Sequence, residues 1–152
     1  METRIIAKLE ELQMVVQDVL AQLAGTSTKA AVVLALHGDL GVGKTTFVQI
    51  LAAELGVQEV VTSPTFVIQK IYELNHAAWD ALVHIDAYRL EEAKELAVLG
   101  WEETVTQART LICVEWAERI DEVLPLDRTW HISLTIQPGD IRQLTITAPL
   151  SS

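Results

Sequence analysis

An α/β domain with a mixed, mainly parallel sheet, flanked by helices and carrying a C-terminal β-hairpin, is the fold this sequence predicts. Three observations carry the prediction. Short apolar runs at residues 31–36, 81–85 and 110–114 read as strands buried on both faces, the pattern of parallel sheets. Helical patterns and turn residues separate them, and a glycine-rich loop joins the first run to the helix after it. Near the end, Trp130, Ile132, Leu134 and Ile136 alternate with His131, Ser133 and Thr135, before Pro138-Gly139-Asp140 turns the chain into residues 142–148.

The elements follow in order. Ile5, Leu9, Leu12, Val16, Val19, Leu20 and Leu23 recur at helical spacing, so residues 5–23 predict an amphipathic helix that Gly25 ends. Thr26-Ser27-Thr28-Lys29 is a polar connection to the strand at 31–36. Phe47, Val48, Ile50, Leu51 and Leu55 predict the next helix, which stops at Gly56. Pro64 enforces an extended turn within Thr62-Ser63-Pro64-Thr65-Phe66. Residues 66–73 alternate as a strand, Asn75-His76 is a loop, and the buried strand at 81–85 ends at Asp86. Residues 91–99 predict a short helix stopped by Gly100, and the strand at 110–114 ends at Glu115. Residues 1–29 thus form an N-terminal helix and connection, and residues 30–148 the core, of one domain spanning 1–152.

Composition narrows the function. Half of the 152 residues are hydrophobic and 21% are charged, which suits a folded domain with one sizeable core. The formal charge of −10, without a basic run, opposes capture of nucleic acid or anionic lipid, so any role in nucleic-acid metabolism should be indirect. Cys113 stands alone, which excludes an internal disulfide and a multi-cysteine metal site. The first residues lack a signal-peptide layout and the run at 30–36 is too short to span a bilayer, so the expected location is the cytoplasm.

Gly38-Asp39-Leu40-Gly41-Val42-Gly43-Lys44-Thr45 fits the phosphate-loop pattern G-x-x-x-x-G-K-[ST], between a strand and a helix as that pattern requires. Chance would match its fixed positions in on the order of one chain in a few hundred. Glycines let the backbone turn tightly and bring N–H groups to phosphate oxygens, and the helix N-terminus adds partial positive charge. Lys44 would reach the β- and γ-phosphates and Thr45 would offer its hydroxyl to Mg²⁺. A P-loop also needs an acid where a buried strand meets the nucleotide. Asp86 and Glu115 both qualify, and the residues alone do not say which touches the metal and which orients an attacking water. The hydroxyls of Thr62, Ser63 and Thr65 are candidates either for contacting the γ-phosphate or a Mg²⁺-bound water in a nucleotide-sensing loop, or for capping a turn. Arg89 is a candidate either for neutralising phosphoryl charge or for pairing with Glu91, Glu92 or Glu95, and Trp116 either for lying against the nucleotide or for filling core. The four histidines, at 37, 76, 84 and 131, lack metal-ligand spacing and receive no chemistry; Trp79, Trp101 and Trp130 read as packing.

Four ordered segments give the chain a specific likeness: the phosphate loop through Thr46, Thr62-Ser63-Pro64-Thr65-Phe66, His84-Ile85-Asp86-Ala87-Tyr88-Arg89-Leu90, and Val114-Glu115-Trp116-Ala117-Glu118-Arg119. Together they resemble the TsaE family, small bacterial P-loop ATPases needed to make threonylcarbamoyladenosine on tRNA. The resemblance covers roughly residues 33–146 and implies a Mg²⁺-dependent ATPase, slow by itself, that acts on a TsaB–TsaD protein complex in modifying adenosine 37. It implies that Asp39, Leu40, Gly41, Val42, Gly43, Lys44, Thr45 and Thr46 hold ATP or ADP, with Ser63, Thr65 and Trp116 nearby. It implies Thr45 and Glu115 as metal ligands, and Lys44, Asp86 and Glu115 as the catalytic set, Asp86 serving hydrolysis. Ala117 replaces a proline frequent in the family and His37 a tyrosine. The family's base-contacting threonine has no counterpart within Glu10-Glu11-Leu12-Gln13, where Gln13 is the candidate. A small-molecule kinase and a nucleotide switch without important hydrolysis are the competing readings. Labelled ATP separates the kinase, which needs a metabolite as acceptor, and partner binding compared across ATP, ADP and a non-hydrolysable analogue separates the switch.

Overall fold

The computed structural model describes residues 1–26, 29–39, 41, 43–64 and 68–149. In chain order the elements are β1 (Glu2–Ile6), α1 (Leu9–Ala24), β2 (Val32–His37), α2 (Lys44–Glu54), β3 (Gln69–Glu73), β4 (Ala81–Asp86), α3 (Trp101–Thr104), β5 (Thr110–Glu115), β6 (Thr129–Gln137) and β7 (Ile141–Thr147). Three 3₁₀ segments, Ala93–Leu99, Ala117–Arg119 and Asp121–Val123, complete the described structure. The strands form one sheet in the order β1-β7-β6-β2-β5-β4-β3. β6, β2, β5 and β4 run parallel to one another, while β3 runs against β4, β7 against β6 and β1 against β7. The predicted mixed, mainly parallel sheet is therefore the one observed.

The sheet is centred on β2 and β5 because their side chains are apolar on both faces. Every residue of β5 is buried, as are Val32–Leu36 of β2. Alternation along each strand sends side chains to opposite layers. Val32, Leu34, Leu36 and Leu111 pack under Val16, Val19 and Leu23 of α1 and Phe47, Val48 and Leu51 of α2. Val33, Ala35, Ile85, Ile112 and Val114 pack on the other side against Leu90, Leu96, Trp101, Ile120 and Leu124. Trp79, Trp101 and Trp130 are buried, as expected of packing residues. Cys113 is fully enclosed, and burial pushes its thiol above the ordinary cysteine range.

Three expectations need correction. The chain starts with a strand, and the helix begins at Leu9, not Ile5. Ile5 is exposed while Ile6 is buried, so the first apolar pair belongs to a sheet edge paired with β7. Residues 91–99 do not form an α-helix: Ala93–Leu99 is 3₁₀, and Gly100, at φ 78°, both stops it and opens α3. The strand expected at 66–73 starts at Gln69, after Ile68 takes a left-handed φ of 70°; Phe66 and Val67 lie outside the described residues. The C-terminal hairpin forms as predicted, with Gln137 opposite Ile141.

Candidate functional site

β2 delivers the chain to the sheet's C-terminal edge, and α2 leaves from the same place. Between them Gly41 has φ +80° and Gly43 φ +107°, backbone states that a Cβ disfavours. Gly43 caps α2 without a side chain, so the N–H groups of the first turn face outward at the positive end of the helix. Leu40 and Val42 of this loop, and Thr65 of the next, lie outside the described residues.

Lys44 is the first residue of α2 and is 5% exposed. Its ammonium donates to the Gly38 carbonyl and lies 3.6 Å from the centroid of the Trp116 ring. Burial pushes this ammonium below the ordinary lysine range, against the pull of Glu118, Glu115, Asp86 and Asp39. Trp116 adopts a left-handed backbone, φ 58°, directly after β5, and its ring centroid stands 5.0 Å from that of Tyr88. The Arg119 guanidinium carbon lies 5.4 Å from the Tyr88 ring centroid; Arg89 is exposed.

Parallel pairing of β4 with β5 sets Asp86 level with Glu115, so both carboxylates reach the same edge. They are held differently. The Thr45 hydroxyl donates to Glu115 Oε1 at 2.8 Å, and His84 Nε2 lies 2.6 Å from Glu115 Oε2. Asp86 accepts from the Ser63 hydroxyl at 2.8 Å and from the Tyr88 backbone N–H at 2.9 Å. Gln49 of α2 donates to the Val61 carbonyl at 2.8 Å, tying the Ser63 segment to the helix. Thr45 with Glu115 is a hard, all-oxygen donor pair, which suits Mg²⁺ supplemented by waters and phosphates. Among the described residues, no three His, Cys, Asp or Glu side chains form a metal-binding cluster by themselves.

A cavity of about 410 Å³ unites Gly41, Gly43, Lys44, Thr45, Thr46, Ser63, Asp86, Glu115 and Trp116, with Tyr88 at its side. Asp39 is exposed and lines a separate hollow beside Leu134. A second cavity, also about 410 Å³, shares Gly43 and Thr46 and extends between Lys8 and Leu12 at the start of α1 and Leu134, Asp140 and Arg142 of the hairpin. Gln13 is exposed and lies outside its lining. Sequence reasoning passed over His84. The available signal was its two-residue spacing from Asp86, which on a strand gives both the same face.

Residues 7–144 match the family described as threonylcarbamoyl adenosine biosynthesis protein TsaE. The chain is 40% identical over 129 residues to the tRNA threonylcarbamoyladenosine biosynthesis protein TsaE of Bacillus subtilis, covering 85% of this chain and 77% of that one. Identity to the Treponema pallidum protein of the same description is also 40%, over 115 residues and 75% and 80% of the two chains. The crystal structure of Bacillus subtilis YdiB superposes with a TM-score of 0.74 at 31% identity, covering 98% of this chain and 86% of the other. Among the described residues no helix is long and apolar enough to cross a membrane.

Proposed function

Because this chain belongs to the TsaE family of threonylcarbamoyl adenosine biosynthesis proteins, we propose that it binds ATP with Mg²⁺, hydrolyses it slowly, and thereby drives a TsaB–TsaD-type complex through cycles of tRNA modification at adenosine 37. The observation that carries this reading is the meeting of Lys44 and Thr45, at the N-terminus of α2, with Glu115 and Asp86 around one cavity. The N–H groups of the loop and helix would cradle the phosphates, and Lys44 would exchange the Gly38 carbonyl for phosphate oxygens. Thr45 and Glu115 would hold Mg²⁺, which supplies charge neutralisation at the β- and γ-phosphates. Asp86 would orient the attacking water, its carboxylate already fixed by Ser63 and Tyr88.

The second cavity adjoins the phosphate loop at Gly43 and Thr46, so base and ribose would extend toward Leu9, Leu12 and Leu134. A net charge of −10 argues that tRNA is reached through the protein partner. The Ser63 segment touches both Asp86 and, through Gln49, the helix, which suits a loop that reports the γ-phosphate to a docked protein. Calorimetry with ATP and ADP, with and without Mg²⁺, tests the first half of the proposal. Reconstitution with partner proteins, tRNA and threonylcarbamoyl-adenylate tests the second: multiple turnover should require this chain and ATP. Full turnover without it, or tight tRNA binding by the isolated chain, would overturn the proposed role.

A further inference from the structure

We infer that His84 is a positioning residue: it ties down one oxygen of Glu115 so that the carboxylate offers the other, alone, to the metal. This rests on the reading above that Thr45 and Glu115 hold Mg²⁺.

His84 stands in β4 among Leu82, Val83 and Ile85, fully buried where an aliphatic side chain would pack. Its Nε2 lies 2.6 Å from Glu115 Oε2, whereas its Nδ1 is buried without a hydrogen-bond partner among the described residues. Nε2 therefore carries the hydrogen and donates it to the carboxylate. A buried polar atom left unpaired costs roughly 1–3 kcal/mol. A histidine kept here despite that cost has one visible task, the bond to Glu115.

Strand register makes the bond. His84 pairs with Cys113, two residues before Glu115, so the two side chains share a face and meet on the diagonal. The result is a carboxylate held at both ends, Oε2 by His84 and Oε1 by Thr45. When the Thr45 hydroxyl turns to a cation, Oε2 stays anchored and Oε1 is left aimed at the site. A carboxylate with one oxygen taken is confined to monodentate ligation. That suits the small octahedral Mg²⁺ and penalises Ca²⁺, which takes more ligands and accepts bidentate carboxylates.

The test measures ADP affinity by calorimetry across Mg²⁺ and Ca²⁺ titrations, in the full chain and its variants. His84→Phe fills the space without a donor, His84→Gln returns a donor at a similar reach, and His84→Asn has a donor too short to reach Glu115. In His84→Phe, metal-free ADP affinity should match wild type, the Mg²⁺ concentration for half-maximal tightening should rise about tenfold or more, and the preference for Mg²⁺ over Ca²⁺ should shrink. His84→Gln should stay near wild type. If His84→Phe does not fold, the contrast between His84→Gln and His84→Asn decides, and equal metal dependence in those two overturns the inference. So does an unchanged Mg²⁺ midpoint and Ca²⁺ discrimination in a folded His84→Phe protein while wild type responds to Mg²⁺. Wild-type binding indifferent to metal would overturn the metal-site reading and this inference with it.

Discussion

The Lys44 ammonium sits 3.6 Å from the centre of the Trp116 ring, between the glycine loop and the end of β5. This cation is shared between a π face and the Gly38 carbonyl, both of them weaker partners than a phosphate oxygen. The lysine is thus held inside the site in a state that burial makes costly. If Lys44 binds phosphate as proposed, function and stability pull in opposite directions at this position.

Replacing Lys44 with methionine separates them. Nucleotide affinity should fall about 10- to 100-fold or more, since charge-assisted hydrogen bonds to phosphate contribute roughly 1.5–3 kcal/mol. Thermal stability should be equal to wild type or higher, because the buried charge is gone while the aliphatic stem remains. Calorimetry and a thermal melt read the two quantities. Retained affinity would remove Lys44 from the binding machinery, and a large loss of Tm would show that its contacts outweigh its desolvation.

The same contact makes Trp116 an internal probe. A phosphate that draws Lys44 away changes the field over the indole, so ADP should alter the fluorescence of the wild-type protein. The response should vanish in Trp116→Phe, with Trp79, Trp101 and Trp130 left in the core where they are buried. An undiminished response in that variant would assign the signal to another tryptophan.

The two acids should fail differently. Glu115→Ala removes the partner of Thr45 and should abolish the Mg²⁺ dependence of nucleotide binding, with metal-free affinity little changed. Asp86→Asn keeps an acceptor for Ser63 and should bind nucleotide within a few-fold of wild type. Its turnover should drop on the order of 100-fold or more, the usual worth of a positioned acid–base group. Parallel binding and phosphate-release measurements decide. Identical defects in the two variants would dissolve the division of labour.

How much was legible in the sequence depends on the range over which the signal acts. The phosphate loop, the strand ends at Asp86 and Glu115 and the hairpin are local patterns, and each stands where its pattern put it. β1 was not legible because its pairing with β7 joins opposite ends of the chain, Glu2 to Ile146, while Ile5 happens to extend the helical spacing of α1. The His84–Glu115 bond was hidden for the same kind of reason. Thirty-one residues separate the pair, and only the register of β4 on β5 brings them together. Nor does local pattern show that the Ser63 hydroxyl donates to Asp86, a relationship that needs the loop's path over the sheet edge.

A last expectation concerns acid. His37, at the end of β2, joins His131 of β6 by a 2.9 Å bond between ring nitrogens, while its other nitrogen lies 3.3 Å from the Glu118 carboxylate. One ring must donate and the other accept, so a proton added to the accepting nitrogen breaks the bond. Burial, and then repulsion from His37, push His131 below its ordinary value of 6.5, with Asp121 pulling weakly the other way. The unfolded chain therefore takes up this proton at a higher pH than the folded protein does. Stability linked to His131 is complete above pH 6.5 and declines as the pH falls through the lower value of the folded state. The urea midpoint should hold level from pH 8 to 7 and fall between about 6.5 and 5. His131→Gln, which remains neutral, should flatten that part of the curve, leaving the steeper decline at lower pH where carboxylates take up protons. Parallel urea titrations of the two proteins measure it, and equal slopes between pH 6.5 and 5 would place the sensitivity elsewhere.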